Sequence, residues 1–206
     1  MLRDTLIYIM MGLPAHHLDH EDSDARLARL SIIGEAVADV SAAATCSSAD
    51  TASQCQRIWP GTSLELGVLL VTQAYSESRL AKNVHEGNCR PYECDPVRIA
   101  GTGEIHHRAR SLWQIHHILP IEEEWERMSG ANFASTRAAA WAAAKLLSRG
   151  YRACGTFVGA ISRYAGVNGC HWSEAKQRSK LFEQLRARAW RRENETTRAE
   201  RQARVM

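Results

Sequence analysis

No stretch of this chain approaches the roughly 18 consecutive apolar residues that a membrane-crossing helix needs, so no helical span is expected. Cys-x-x-Cys and His-Glu-x-x-His spacings are both missing, and with them the familiar signatures of zinc and thiol-redox sites. None of the cysteines sits in the sequence context of a cysteine nucleophile. Alternating apolar and polar runs that mark half-buried strands are lacking, apart from room for a short hairpin within residues 81–110. There is no internal repeat and no linker long enough to demand independently folded domains. These absences leave a mainly helical chain, with no metal and no cofactor expected.

The 206 residues can bury one good core with a small lobe or tail besides. The formal charge of +3 conceals an asymmetry, because residues 173–206 hold ten Lys or Arg against five Asp or Glu. A basic C-terminal helix suits an anionic envelope or virion surface, while a solvated helical face fits it equally well. The six cysteines form three local pairs, Cys46 with Cys55, Cys89 with Cys94 and Cys154 with Cys170. Six cysteines allow fifteen connectivities, and proximity alone selects this one. Stapled loops point to an oxidising place of action, the periplasm, cell envelope or a phage virion. Leu6 to Leu13 is an apolar octet behind Arg3, but Asp4 and the Ala15-His16-His17-Leu18-Asp19 stretch suit a signal peptide poorly. A folded first helix over Arg3 to Gly12 is the better expectation.

Further helices are expected from their caps and periodicity. Leu27, Leu30, Ile33, Val37 and Val40 recur at three- and four-residue steps after Ser23. Thr62-Ser63-Leu64-Glu65 is a capping box that opens a helix through Glu77. Ser135 or Thr136 opens an alanine-rich helix to about Arg149, with Gly150 past its end. Thr156 opens another that ends at Tyr164, and Ser173 opens the basic helix, with Leu181, Leu185 and Trp190 as its apolar stripe. The expected division is an N-terminal helical segment over 1–61 packing on a core over 62–172, followed by a basic helix or tail over 173–206.

Glu77 carries the chemistry. It shares one helical face with Gln73, Leu70 and Leu66. A carboxyl on an apolar stripe near a helix C-terminus is disfavoured in its charged form by desolvation and by the helix dipole. A general acid needs that property. From the helical wheel alone, a Glu that turns to solvent where the helix frays fits as well.

Glu77-Ser78-Arg79-Leu80 resembles the Glu-Ser signature of the soluble lytic transglycosylases, a family related in fold to goose-type lysozyme. Ser111-Leu112-Trp113-Gln114-Ile115 is similar to that family's second motif, and Ser162-Arg163-Tyr164-Ala165-Gly166 to its third. The three follow in the family's order over residues 64–166. The resemblance implies a lysozyme-like helical domain that cleaves the β-1,4 bond between N-acetylmuramic acid and N-acetylglucosamine in peptidoglycan. It implies Glu77 as acid and base, Ser78, Ser111 and Gln114 against the sugars, and Tyr164 orienting Glu77 or the substrate. An intramolecular attack by the muramic C6 hydroxyl would close a 1,6-anhydro ring without a second carboxylate.

The departures from the family bear on mechanism. Gln114 lies 37 positions after Glu77, a long spacing, and the intervening loop holds Glu86, Glu93, Asp95 and Glu104. A carboxylate there that held a water opposite Glu77 would give hydrolysis, as in a muramidase. Asp95, beside Cys94 and Pro96, is the candidate. The third motif lacks the family's Asn. Trp113 and Trp141 are read as core, and His106, His107, His116 and His117 as surface or groove histidines. The alternative to an enzyme is a cell-wall-binding or virion structural protein, and nucleic acid is an unlikely partner for the basic helix.

Overall fold

Capping side chains, Asp22, Thr62, Asn132 and Thr156, set where four of the helices begin. The computed structural model describes residues 1–46, 57–117, 122–125, 127–128, 130–166 and 169–203. Helix α1 covers Leu2–Met11 and α2 covers Ser23–Thr45, the latter capped by Asp22 accepting from the Ala25 amide. Helix α3, Ser63–Ser78, starts on the complete Thr62–Glu65 capping box, in which side chain and backbone bond reciprocally. It ends at Arg79, whose left-handed backbone (φ 55°) turns the chain. A single turn, α4 (Lys82–His85), follows. Two small antiparallel hairpins come next, β1 (Pro96–Arg98) with β2 (Ile105–His107) and β3 (Ala109–Arg110) with β4 (Ile115–His116). After α5 (Glu122–Trp125) come α6 (Phe133–Cys154), α7 (Phe157–Tyr164) and α8 (Ser173–Ala203).

The fold is therefore mainly α-helical, with the hairpin room in 81–110 used by β1–β2. Among the described residues no helix is long and apolar enough to cross a membrane. Helix α3 is the hub. Every residue from Leu66 to Ala74 is buried, because α1, α2, α6 and α8 pack around it. Helix α1 contributes Leu6, Ile9 and Met10 to the same core.

Three sequence expectations are corrected. Leu27 is 44 % exposed, and the inward face of α2 instead runs through Leu30, Ile33, Val37 and Val40 with Arg29. Helix α6 opens at Asn132, whose side chain accepts from the Ser135 amide, and it continues through Gly150 to a left-handed Gly155. Gly150 is internal because α7 crosses so closely that a Cβ there would lie 2.8 Å from the Ala160 carbonyl oxygen. The inner stripe of α8 is Ala175, Phe182, Leu185 and Ala189, whereas Trp190 is exposed. Helix α8 is thus no free tail but packs on α1, α3 and α7. Part of its basic excess turns back on the protein, with Arg188 and Arg192 over the Tyr8 ring and Arg186 over Phe182.

Cys89–Cys94 and Cys154–Cys170 are disulfides, with Cα atoms 6.0 and 5.6 Å apart. The pairing of Cys46 with Cys55 falls outside the described residues, since Cys55 is not among them.

Candidate functional site

A cleft of about 630 Å³ opens where the C-terminal end of α3 meets the two hairpins, the end of α7 and the start of α8. Glu77 lines it, together with Asp95, Gln114, His116, Tyr164 and Arg178 among others. Residues 77, 114 and 164 come from three separate motifs, and folding brings all three to one surface.

Each wall has an identifiable anchor. The α3 end is held by Arg29, buried in α2, which donates to the Leu80 carbonyl at 2.7 Å. Glu21 and Asp19 hold the same guanidinium at 2.6 and 3.7 Å. Asp19 also accepts from the Lys82 amide at 2.9 Å. The second motif forms the tight turn between β3 and β4. Its Trp113 is fully buried and donates its indole N–H to the Leu70 carbonyl of α3 at 2.9 Å. The third motif closes the arrangement, with the Tyr164 hydroxyl donating to the Trp113 carbonyl at 2.6 Å. Burial of that hydroxyl pushes its pKa well above the usual phenol value, and the Glu77 charge adds to the effect. Tyr164 therefore serves as a neutral hydrogen-bonding strut between α7 and the turn.

The described non-glycine residues with left-handed backbone are Arg79, Leu80, Cys94, Asp95, Ser111 and Gln114. All six lie at the ends of the segments that build the cleft. Such conformations are costly and persist where surrounding structure imposes them, which is often at functional sites.

The sequence-derived residues divide. Glu77, Gln114, Tyr164 and Asp95 meet in the cleft. Ser78 and Ser111 are not among its lining residues. The Ser78 hydroxyl donates to the Ala74 carbonyl of its own helix at 2.8 Å, and Ser111 Oγ accepts the Trp113 amide at 3.3 Å. Ser111 thus shapes the turn. Gln114 points its amide at the Ser111 carbonyl, 3.1 Å away, which fixes the side chain at the cleft edge.

Of the four insert carboxylates, Asp95 alone lines the cleft. Arg108, at 2.7 Å, holds its carboxyl below the ordinary range, and His116 stands 3.7 Å away. Glu93 has a structural role instead, accepting from the Arg90 amide at 2.8 Å and from Asn83. Glu86 and Glu104 make exposed local pairs with Lys82 and His106. Among the described residues no group of three or more His, Cys, Asp or Glu side chains could hold a metal ion.

Sequence reading missed Arg178 and Trp172. Arg178, near the start of α8, donates to Glu77 Oε1 in a close ion pair and to Gln73 Oε1 at 3.3 Å. Its guanidinium lies over the Trp172 ring, 5.4 Å from the centroid. A signal for it existed, since Arg178 precedes Phe182, Leu185 and Ala189 by four, seven and eleven residues and so shares their inward face.

The chain matches no protein-family model, no curated protein and no solved structure.

Proposed function

We propose that this protein is a lysozyme-like glycosidase that cleaves the β-1,4 bond between N-acetylmuramic acid and N-acetylglucosamine in peptidoglycan, with Glu77 as general acid and base. The observation that supports it most is the meeting of Glu77, Gln114 and Tyr164 in one cleft at the end of a buried helix. In this reading Glu77 gives a proton to the glycosidic oxygen as the bond to the muramic C1 carbon breaks. The muramic C6 hydroxyl then attacks C1 and returns its proton to Glu77, which leaves a 1,6-anhydro end.

A hydrolytic variant is favoured by Asp95. It lines the same cleft, and Arg108 keeps it ionised, as a base that activates water must be. Mass spectrometry of released muropeptides distinguishes the two, because an anhydro end is one water lighter than a reducing end. Glu77→Gln tests the proposal itself. Loss of cell-wall clearing with wall binding retained supports it, unchanged clearing would sink Glu77 as the acid, and a wild type that binds the wall without clearing it would leave a wall-binding or virion structural role.

A further inference from the structure

The ion pair between Arg178 and Glu77 sits awkwardly with acid–base work. A carboxyl that passes protons to and from a sugar must offer its oxygens to the substrate, and Arg178 occupies one of them. Both side chains are still partly open to the cleft, at 19 % and 16 % exposure, so a bound chain can reach the pair. Arg178 also has places to stay once it lets go. Gln73 Oε1 and the face of Trp172 hold it independently of Glu77.

The charge inventory of the cleft says what could draw it away. Glu77 and Asp95 are its carboxylates, and Asp95 already has Arg108 and His116. Among the described lining residues Arg178 is the one permanent cation. An anionic chain entering this cleft finds a single guanidinium to pair with, and guanidinium–carboxylate pairing is the strongest recognition available to it. Exchange of one carboxylate for another keeps Arg178 neutralised throughout. It leaves the Glu77 oxygen that Arg178 had occupied open to the glycan, as proton transfer to and from a sugar requires.

We propose that Arg178 is a substrate-responsive latch, a positioning residue that leaves Glu77 for a carboxylate of the incoming glycan and so makes the site selective for acidic over neutral glycan strands. This rests on the glycosidase reading above. The carboxylate could belong to the lactyl ether of muramic acid or to the peptide stem, and a neutral chitin-type glycan offers neither.

The test compares three oligosaccharides of equal length. One is a chitin oligomer, one a stem-free muramyl strand with free lactyl groups, and one a stem-bearing strand whose lactyl groups are amidated. Affinity by calorimetry and kcat/KM are measured for wild type, Arg178→Gln and Arg178→Lys, with thermal melts confirming that each is folded. Wild type is expected to bind at least one acidic strand about tenfold tighter than chitin. Arg178→Gln should bring the two within about twofold, and Arg178→Lys should keep part of the preference. The acidic strand that loses affinity identifies lactyl or stem as the partner. Arg178→Gln should also cleave the chitin oligomer faster than wild type does. A preference for acidic strands that survives Arg178→Gln, or no preference in wild type, overturns the latch. If no strand is cleaved by wild type but the preference depends on Arg178, the glycosidase reading fails and the carboxylate exchange stands. If strands are cleaved and the preference is indifferent to Arg178, the glycosidase reading stands and the latch fails.

Discussion

Replacing Gly150 by alanine sets two effects of opposite sign against each other. Glycine inside a helix is about 1 kcal/mol worse than alanine, so propensity alone makes Gly150→Ala stabilising by that amount. Packing opposes it. A Cβ at position 150 would lie 2.8 Å from the Ala160 carbonyl oxygen, 2.9 Å from Arg163 Cβ and 3.0 Å from Ala160 Cα. None of these atoms is a flexible side-chain tip, so α7 as a whole must retreat by a few tenths of an ångström. Overpacking of this kind costs about 1–3 kcal/mol, which leaves a net loss of about 1 kcal/mol after the propensity gain. For a chain of this size that lowers Tm by about 2–4 °C. Since α7 carries Tyr164, the bond from its hydroxyl to the Trp113 carbonyl should loosen as well, and cell-wall clearing should fall further than stability. Calorimetric melts with the disulfides intact measure the first effect. Gly169→Ala is the control, since nothing lies within 4 Å of its would-be Cβ. A Tm that rises in Gly150→Ala would show that propensity decides and that α6 and α7 are not in this contact.

His85 gives a pH dependence of defined sign. Its burial, reinforced by the nearby Arg29 charge, lowers its pKa from 6.5 to about 4, so the folded state holds it neutral. The stability this represents is complete above about pH 6.5 and is lost as pH falls toward 4, by about 3 kcal/mol in all. Urea midpoints of wild type at pH 7, 5 and 4 should drop more steeply than those of His85→Gln, and parallel curves would refute the assignment. Trp113→Phe removes the indole donor to Leu70 and leaves a void, at a cost of about 2 kcal/mol in denaturant melts. A loss under about 0.5 kcal/mol would argue against that buried contact. The double variant Cys154→Ser, Cys170→Ser opens a loop of 16 residues and should lose about 3 kcal/mol. Unchanged stability would mean that this bridge contributes nothing to the folded protein.

Legibility in the sequence tracked the range of the interaction. The Thr62 box and the Thr156 cap are written within four residues, and both helices begin where those residues say. Glu77, Gln114 and Tyr164 could be singled out because each belongs to a recognisable local motif. The end of α6 could not be read, because Gly150 looks like a terminator unless the crossing of α7 is known. Ser78 and Ser111 look like substrate contacts until their hydroxyls are seen committed to backbone partners. Arg178 was hidden by its distance from Glu77, 101 positions along the chain. In a segment of ten basic residues, charge alone does not separate an inward arginine from solvated ones. Only its phase relative to Phe182 and Leu185 does.

The burial of α3 has a consequence for motion. Amides in a helix enclosed by four others exchange with solvent only when much of the molecule opens, whereas short hairpins and helix ends open locally at far lower free energy. Glu77 lies three residues past that enclosed stretch, at a helix end pinned to α2 by the Arg29 bond to the Leu80 carbonyl. Gln114 and Asp95 ride on the hairpin segments, and Arg178 on the first turns of α8. Thermal fluctuation in this protein therefore changes the company the carboxylate keeps long before it changes where the carboxylate is.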